Sequence, residues 1–309
     1  MKKQKIRFYA ALLCSSMVFS LVSTPVSAAE TGQLTNPPTS TEELSSPESI
    51  SGNEAASALN GLSVLAANGE AEVTTASELT GALADSSISR ITLKGDIDIG
   101  STLTVNRTVT LDLNGCVLKM TGSDSVIKVE ADGDLTIQDR NTTTQHKFNP
   151  HCKYLTWYID MWELDNGGSE IVSGGVITGG GGDQSNGGGV LVAGGTLVMA
   201  GGSIVGCSAM SRGGGVCNNG TFIMSDGMIK GCTSPDGQYA SGGGVRNSNQ
   251  FTMTGGMIGD PDNENDASHV YNTSSQETTL TISGNAKIYT DITNVGILNA
   301  DGGEIAGTM

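Results

Sequence analysis

Apolar residues occupy alternate positions in short runs along the second half of the chain, and each run ends at a glycine-rich turn. The most regular turn reads Gly-Gly-x-Ile. With substituted glycines in two of six copies, these turns end at Ile177, Ile204, Ile229, Ile258, Ile288 and Ile305. Successive isoleucines are 27, 25, 29, 30 and 17 residues apart. A repeat of this length is typical of a solenoid, in which each repeat contacts mainly its neighbours.

Two more apolar columns lie upstream of the isoleucine when the repeats are aligned. The first contains Leu197, Phe222, Phe251, Leu280 and Leu298, and the second contains Met199, Met224, Met253, Ile282 and Ala300. Because residues two apart on a strand share a face, we expect both columns to point inward and to stack beside the isoleucine column.

A second phrase, Gly-Gly-Gly-Val, begins another short strand in each repeat. Its copies end at Val190, Val216 and Val245, with a degenerate fourth at Val270. Three short strands per repeat make a β-helix, with glycines supplying the positive φ that its corners need. The variable repeat length favours the right-handed form over the strict hexapeptide rhythm of the left-handed form. The sequence therefore predicts an all-β, single-stranded, right-handed parallel β-helix over residues 73–309.

A short helix is predicted just before the first alternating run. Ser77 can cap a helix on which Leu79, Ala82 and Leu83 form one apolar stripe. The first coil of a solenoid otherwise exposes apolar side chains and unpaired backbone, so we expect this helix to cover it.

The N-terminal region has a different character from the repeats. A basic start and an apolar run to about Val22 predict a signal peptide over residues 1–28. Residues 29–72 are rich in Ser, Thr, Pro and Glu, which predicts a disordered spacer. No later segment has the roughly 20 apolar residues of a membrane span. We therefore expect a secreted or cell-surface protein.

The net charge limits the classes of binding partner, and the cysteine positions predict a stacked pair of thiols. The formal net charge of -16 makes nucleic acid and anionic membrane poor partners, whereas divalent cations, neutral glycans and basic peptides stay compatible. Cys207 and Cys232 each follow a repeated isoleucine by three residues, so they are expected to stack one coil apart. We favour free thiols there over a disulfide.

The opening of the predicted β-helix resembles a known family. The segments from Ala76 to Leu79, Ile91 to Ile97 and Thr110 to Gly115 resemble the first coils of pectate-lyase-like right-handed β-helix proteins. The later glycine phrases resemble repeats of adhesin-like surface proteins exported by Gram-positive gut bacteria. The resemblance implies the fold more strongly than the function, because this fold carries lyases, hydrolases and adhesins.

The same resemblance allows a test for catalysis. Pectate lyases of this fold use a calcium ion held by carboxylates and an arginine base. Arg212 and Arg246 flank the Gly-Gly-Gly-Val corners, but no acidic cluster is predicted beside them. The related polygalacturonase motifs do not occur in the sequence. We therefore expect a non-catalytic surface protein that presents a binding face to glycans or to host or bacterial surface proteins. The alternative is a polysaccharide lyase or glycoside hydrolase with an unrecognised site.

An insertion at about residues 140–168 concentrates the large aromatic residues of the chain. Sugar faces bind aromatic rings, so one interpretation is a glycan-stacking platform made by Tyr154, Trp157, Tyr158 and Trp162. The other, which we favour, is a side lobe whose rings pack on the outer face of the β-helix, because a long loop needs its own apolar cluster.

Four acids at alternate positions, Asp260, Asp262, Glu264 and Asp266, suggest calcium. The EF-hand pattern fails here, since Asn265 replaces the required glycine and Tyr271 the bidentate glutamate. A solvated loop is the favoured interpretation, and no other cofactor is predicted. Finally, the last coil offers an edge for end-to-end contact with a partner, unless the chain continues in a longer surface protein.

Overall fold

The computed structural model describes residues 69–151, 161–181, 186–234, 242–263, 266–273 and 277–309. The predicted signal peptide and nearly all of the predicted spacer lie outside these ranges. The first described strand, β1, covers Glu70–Val73, so it begins slightly before the predicted start of the β-helix.

The predicted capping helix is present as α1, Ala76–Ala84. Its N-cap is Thr75, so the prediction of Ser77 as the cap is wrong by two residues. Thr75 and Glu78 form a capping box: the threonine hydroxyl accepts from the Glu78 amide, and the Glu78 carboxylate accepts from the Thr75 amide. This reciprocal pair outcompetes Ser77, which has no acidic residue three positions later.

Within the described ranges, thirteen strands form one sheet whose recorded pairings are all parallel. These strands are β1, β2 (Arg90–Leu93), β3 (Ile97–Ile99), β5 (Thr108–Asp112), β6 (Val117–Met120), β8 (Asp134–Gln138), β12 (Val176–Thr178), β14 (Thr196–Val205), β16 (Thr221–Lys230), β18 (Gln250–Met253), β19 (Met257–Ile258), β21 (Thr279–Ile288) and β23 (Ile297–Ile305).

A second parallel sheet contains seven described strands, each of which lies along the chain between two strands of the first sheet. They are β4 (Leu103–Val105), β7 (Ile127–Val129), β13 (Val190–Val192), β15 (Val216–Asn218), β17 (Val245–Asn247), β20 (Val270–Asn272) and β22 (Ile292–Asn294). A third, antiparallel sheet contains β9 (Gln145–His151), β10 (Met161–Leu164) and β11 (Glu170–Ser173).

The register confirms the predicted apolar columns. Leu197 pairs with Phe222, Phe222 with Phe251, and the column continues through Leu280 to Leu298. The methionine and isoleucine columns pair in the same way, as do the valines of the Gly-Gly-Gly-Val phrase. The Phe222 and Phe251 rings stack with centroids 4.5 Å apart. Up to β21, these columns form one buried core that also receives Leu79 and Ala82 from α1, whereas in β23 Leu298 and Ile305 are partly buried and Ala300 is exposed.

The Gly-Gly-x-Ile phrase does not break the chain into two strands, as the predicted corner implied. In β14, β16, β21 and β23 the strand runs through the phrase. The pairing of β14 with β16 shifts register between Met199 and Ser203, next to Gly202 at a φ of 74°. A bulge bends the strand there while the hydrogen-bonded ladder resumes beyond it. Separate strands occur at this point only for β18 and β19 among the described copies from β14 onward.

A ladder of asparagine side chains runs along the second sheet, and it did not enter the predictions above. The Nδ2 of Asn218 donates to Oδ1 of Asn247 at 2.7 Å, Asn247 donates to Asn272 at 2.8 Å, and Asn272 donates to Asn294 at 2.7 Å. Asn218, Asn247 and Asn272 are fully buried. Each of these three also donates to a backbone carbonyl further along the chain, so the buried amides are satisfied.

The two cysteines that were predicted to stack lie in the main core. Cys207 and Cys232 are buried free thiols in the core, as predicted, and burial raises the pKa of Cys232.

Strand β23 pairs with β21, and Ile297 at its start is 46% exposed. Across the described ranges, no helix combines the length and apolar character needed to cross a bilayer.

Candidate functional site: a cleft beside the side lobe

The aromatic insertion forms the antiparallel sheet β9–β11, which we call the side lobe. It leaves the first sheet after β8 and returns to it at β12. Strand β9 is central, with β10 and β11 on either side of it. The lobe therefore carries its own hydrogen-bonded framework, as a long insertion needs if it is to hold a fixed position.

The lobe packs on the first sheet through a small apolar cluster. Phe148, Trp162 and Val172 from the lobe meet Val176 and Val205 of β12 and β14, and all five side chains are buried. The Phe148 and Trp162 ring centroids are 6.4 Å apart. This cluster is separate from the main core, so it lies on the outward side of the first sheet.

Trp162 also fixes the lobe to the first sheet through a backbone hydrogen bond and a cation–π contact. Its backbone N–H donates to the Gly231 carbonyl at 3.3 Å, and Lys230 Nζ lies 4.2 Å from the centroid of its ring. Lys230 in turn pairs with Asp260 at 2.9 Å, and both of these side chains are nearly buried. A Cβ on Gly231 would meet the indole ring, and φ at this residue is +59°. The ring therefore packs against Gly231, where a larger residue would collide with it.

The contacts of Trp162 test the predicted aromatic platform, in which its ring would be exposed to a glycan. Trp162 is only 1% exposed, so its ring packs against the protein, as the alternative interpretation held for the rings of the insertion. Its indole N–H is buried without a hydrogen-bond partner among the described residues. Tyr154, Trp157 and Tyr158 lie outside the described residues, so a platform made by these three stays a prediction.

The predicted calcium ligands divide into two buried residues and two others. Asp260 accepts from the Asp262 amide at 3.1 Å in addition to its pair with Lys230. Asp262 is exposed, and Glu264 lies outside the described residues. Within the part of the chain that the structure describes, no three His, Cys, Asp or Glu side chains are grouped to hold a metal ion. Asp260 thus serves a buried ion pair.

Asp266 is also committed to contacts within the protein. It accepts hydrogen bonds from the backbone amides of Ser268 at 2.9 Å and Gly231 at 3.2 Å. Burial raises the pKa of Asp266, the hydrogen bonds from Ser268 and Gly231 oppose that rise, and the nearby charge of Asp260 adds to it. Its carboxylate therefore positions the turn that carries Gly231 beneath Trp162.

A cleft of about 360 Å³ opens between the lobe and the adjoining edge of the first sheet. Trp162, Glu163 and Leu164 of β10 form one wall. The facing wall comes from segments at the ends of β6, β12 and β14, with the polar side chains of Lys119, Thr121, Thr178 and Ser208 and several glycines. The glycines bring backbone groups close to the opening. The cleft is therefore lined by hydroxyls, peptide groups, one ammonium and one carboxylate.

The described charged groups of the cleft are the ammonium of Lys119 and the carboxylate of Glu163. Glu163 is the only carboxylate among the described lining residues. Hydrolysis of a glycosidic bond by the usual route requires two carboxyl groups placed across the bond. The described lining residues therefore supply one carboxylate where that route uses two.

A second, shallower groove of about 490 Å³ crosses the glycine bulges of the first sheet. Asp139, Asp226 and Lys287 contribute its charged groups. Asp139 already accepts from the amides of Gly115 and Gly175, both at 2.7 Å. It therefore holds the turns before β6 and β12 in place.

Of the two arginines considered above for lyase chemistry, Arg246 lies on β17 of the second sheet and Arg212 lies before β15, outside the named strands. Cys217 and Arg246 are paired residues of β15 and β17, between the inward Val and Asn positions. Neither arginine forms an ion pair with a described carboxylate. The acid cluster of a calcium-dependent lyase is therefore not among the described partners of these arginines.

Comparison with known protein families finds a similarity in the first part of the repeat region. The family profile described as "Putative pectate lyase-like adhesive domain" matches residues 70–173, about a third of the chain. No curated protein and no solved structure matches the chain. The matched segment runs from β1 through the side lobe, so it includes Glu163, Lys119 and Thr121 of the cleft. Residues 70–173 are therefore similar to a pectate-lyase-like adhesive domain.

Proposed function

We propose that this protein is an exported, adhesin-like surface protein that binds glycans in the cleft beside its side lobe. The observation that carries the proposal is a polar cleft built from both the lobe and the first sheet, with one wall and part of the other inside the segment that matches an adhesive-domain family. Adhesion requires a fixed recognition surface, and the buried Trp162 cluster fixes one wall of the cleft against the other.

We further propose that the two parallel sheets are faces of one right-handed, single-stranded β-helix. Two features support this architecture. Consecutive strands from β12 to β18 alternate between the sheets, and every strand pairs with its equivalent one repeat away. The side chains of both sheets also meet in one continuous core. Right-handedness rests on the general rule for parallel crossover connections.

The location follows from the same proposal. The adhesive-domain match is in keeping with an extracellular or surface location. The proposed organisation is a signal peptide over residues 1–28, a spacer predicted over 29–72 and a β-helix predicted over 73–309, with the first strand, β1, moving the boundary between the last two to Glu70. Cleavage after Ala28 is checked by N-terminal sequencing of the exported protein.

The cleft is tested by filling it. Thr121 is exposed at the cleft, and its backbone amide and hydroxyl both bond to the Ile99 carbonyl. We expect Thr121→Trp to place an indole in the opening and to lower glycan binding at least tenfold on a glycan array. Thr104→Trp, on an exposed position of β4 away from the cleft, is the matched control and is expected to bind as the unaltered protein does.

Two results would contradict the proposal. One is equal glycan binding by Thr121→Trp and Thr104→Trp, because binding would then lie elsewhere. The other is turnover of polygalacturonate by the purified protein, detected as new unsaturated or reducing ends, which would favour the lyase or hydrolase alternative. Thr121 directly follows β6, which carries Lys119 of the cleft, so a disturbed β6 would also lower glycan binding. Both variants are therefore first compared by thermal unfolding.

A further inference from the structure

Lys230 and Asp260 form an ion pair between two neighbouring repeats. Lys230 is the last residue of β16, and Asp260 follows β19. The Gly259 amide donates to the Ile229 carbonyl at 2.9 Å, so the hydrogen-bonded ladder between these two strands continues up to the pair. Nζ of Lys230 lies 2.9 Å from Oδ2 of Asp260. The two side chains are therefore held in contact by backbone segments of fixed register.

This pair differs in burial from the other ion pairs of the described residues. Its two side chains are 10% and 4% exposed, whereas each of the other pairs has at least one side chain that is more than one-third exposed. The indole ring of Trp162 lies over the ammonium group, with Nζ 4.2 Å from the ring centroid. An aromatic surface therefore replaces water on that side of the lysine.

A second buried acid indicates that the same turn disfavours charge. Asp266 accepts a hydrogen bond at 3.2 Å from the amide of Gly231, the residue after Lys230. Burial is the main cause that raises the pKa of Asp266, and the charge of Asp260 adds to the rise. Surroundings that favour the neutral form of one carboxyl group also lower the cost of neutralising an ion pair on the adjoining residue.

We propose that Lys230 and Asp260 join covalently through an amide bond between Nζ of the lysine and Cγ of the aspartate. The ammonium first gives one proton to the carboxylate. The neutral amine then attacks the carboxyl carbon, and the bond from that carbon to the hydroxyl oxygen breaks. The leaving hydroxyl takes a second proton from the nitrogen. One ammonium and one carboxylate thus become one amide and one water, without an oxidant or any other reactant.

Fixed contact and burial both favour this reaction. Holding two reacting groups together removes the entropy cost of their encounter, which is among the largest contributions to the rate of an intramolecular reaction. Burial also removes the water that would otherwise solvate both charges. The bond closes the chain from residue 230 to residue 260, which includes β17, β18 and β19, beneath the ring of Trp162. It therefore locks neighbouring repeats together where the side lobe docks.

Intact-mass spectrometry of the full secreted chain tests the bond. We expect a mass about 18 Da, one water, below that calculated for the linear chain. Trypsin should then leave Lys230 uncleaved and release a branched peptide that joins Lys230 to Asp260. Lys128 is the internal control, because its Nζ lies 2.7 Å from Glu130 while both side chains are exposed. We expect normal cleavage after Lys128, since contact without burial leaves the two charges solvated.

Two variants separate the amide bond from the ion pair. Lys230→Arg keeps a cation beside Asp260, but a guanidinium stays protonated and cannot attack the carboxyl carbon, so the linear mass is expected. Its midpoint of thermal unfolding should fall by about 5–15 °C, because a cross-link over a loop of about 30 residues is lost. Lys128→Arg is the matched control and is expected to keep both the mass deficit and the midpoint.

Asp260→Asn tests the reacting carbon from the other side. An amide at this position would release ammonia in place of water, so the expected deficit becomes about 17 Da. This measurement does not depend on whether Lys230→Arg folds. Neither Lys230 nor Asp260 lines the cleft, so the amide bond and glycan binding in the cleft can fail their tests separately.

The proposal is overturned if the intact mass equals that of the linear chain, or if trypsin cleaves after Lys230 in the denatured protein. It is also overturned if the deficit persists in Lys230→Arg. Loss of one water would then come from another source, such as a succinimide at Asp226 before Gly227.

Discussion

Arg107 donates hydrogen bonds from its guanidinium to the backbone carbonyls of Ala82 and Leu83, at 2.9 and 3.0 Å. The same side chain also donates to the Ile88 carbonyl at 2.6 Å. Carbonyls in the last turn of a helix have no partner within the helix. One side chain thus satisfies the end of α1 and ties that helix to the start of β5.

Replacing Arg107 is therefore expected to loosen the helix that covers the first repeat. We expect Arg107→Ala to lower the free energy of unfolding by about 2 kcal/mol or more, because several charged hydrogen bonds are lost together. Arg90→Ala is the matched control. It removes the exposed pair of Arg90 with Glu70, worth about 0–1 kcal/mol. Urea unfolding followed by circular dichroism measures both, and equal losses would contradict the tie.

Removing an asparagine side chain from the middle of the ladder is expected to lower the free energy of unfolding more than removing the one at its exposed end. Asn247→Ala leaves Nδ2 of Asn218 with only its bond to the Gln250 carbonyl and leaves Oδ1 of Asn272 without its donor. The loss is expected to cost about 2–6 kcal/mol, at about one to three for each of the two groups. Asn294→Ala, at the exposed end, is expected to cost less than half as much. Chemical unfolding of the two variants provides the measurement. Similar losses would mean that the ladder contributes little beyond side-chain packing.

Replacing Gly231 is expected to weaken the attachment of the lobe to the first sheet. An alanine Cβ there would meet the Trp162 ring and would hold a φ of +59°, so we expect Gly231→Ala to displace the indole towards water. The expected signal is a red shift in tryptophan emission and a loss of stability of about 1–3 kcal/mol. Gly95→Ala is the control, since its Cβ would meet nothing within 4 Å. An unchanged emission spectrum for Gly231→Ala would argue against the packing of Trp162 on this turn.

Asp266 predicts a pH dependence with a defined sign. Its pKa is raised in the folded state, chiefly by burial, so the unfolded state loses this proton first as pH rises. Stability contributed by the protonated form is therefore complete below the unfolded pKa and falls as pH rises through the window up to the folded pKa. The residue thus opposes folding near neutral pH.

We expect Asp266→Asn to remove this dependence, since an amide oxygen still accepts from Gly231 and Ser268. Its stability at pH 7 should equal or exceed that of the unaltered protein, and the advantage should shrink towards pH 4. Thermal unfolding across this range gives the comparison. Lower stability of Asp266→Asn at pH 7 would show that the ionised carboxylate strengthens its two hydrogen bonds by more than burial costs.

The apolar columns were predictable because each repeat returns the same residue type to the same position. Leu197, Phe222 and Phe251 needed only alignment and the two-residue period of a strand. The asparagine ladder carried a similar signal, since a Val-x-Asn or Ile-x-Asn triplet recurs at Asn218, Asn247, Asn272 and Asn294. A rule that includes repeated polar residues at inward positions would have found it.

The site was less predictable because its parts come from separate repeats. Trp162, Lys230 and Asp260 meet through docking of the lobe on the first sheet, and no sequence spacing relates them. The insertion was visible as an aromatic cluster, but its antiparallel pairing was not. Similarly, the glycines that suggested a corner left open whether the strand would end there or continue through a bulge.

The direction of the asparagine hydrogen bonds gives the second sheet a polarity. Each amide from Asn218 to Asn272 donates towards the C-terminal end, so the side-chain dipoles add head to tail as peptide dipoles do in a helix. Turning one amide over would set NH2 against NH2 on one side and oxygen against oxygen on the other. A single reversal is therefore costly unless every amide in the stack reverses with it, so the stack behaves as one cooperative unit with a single sense.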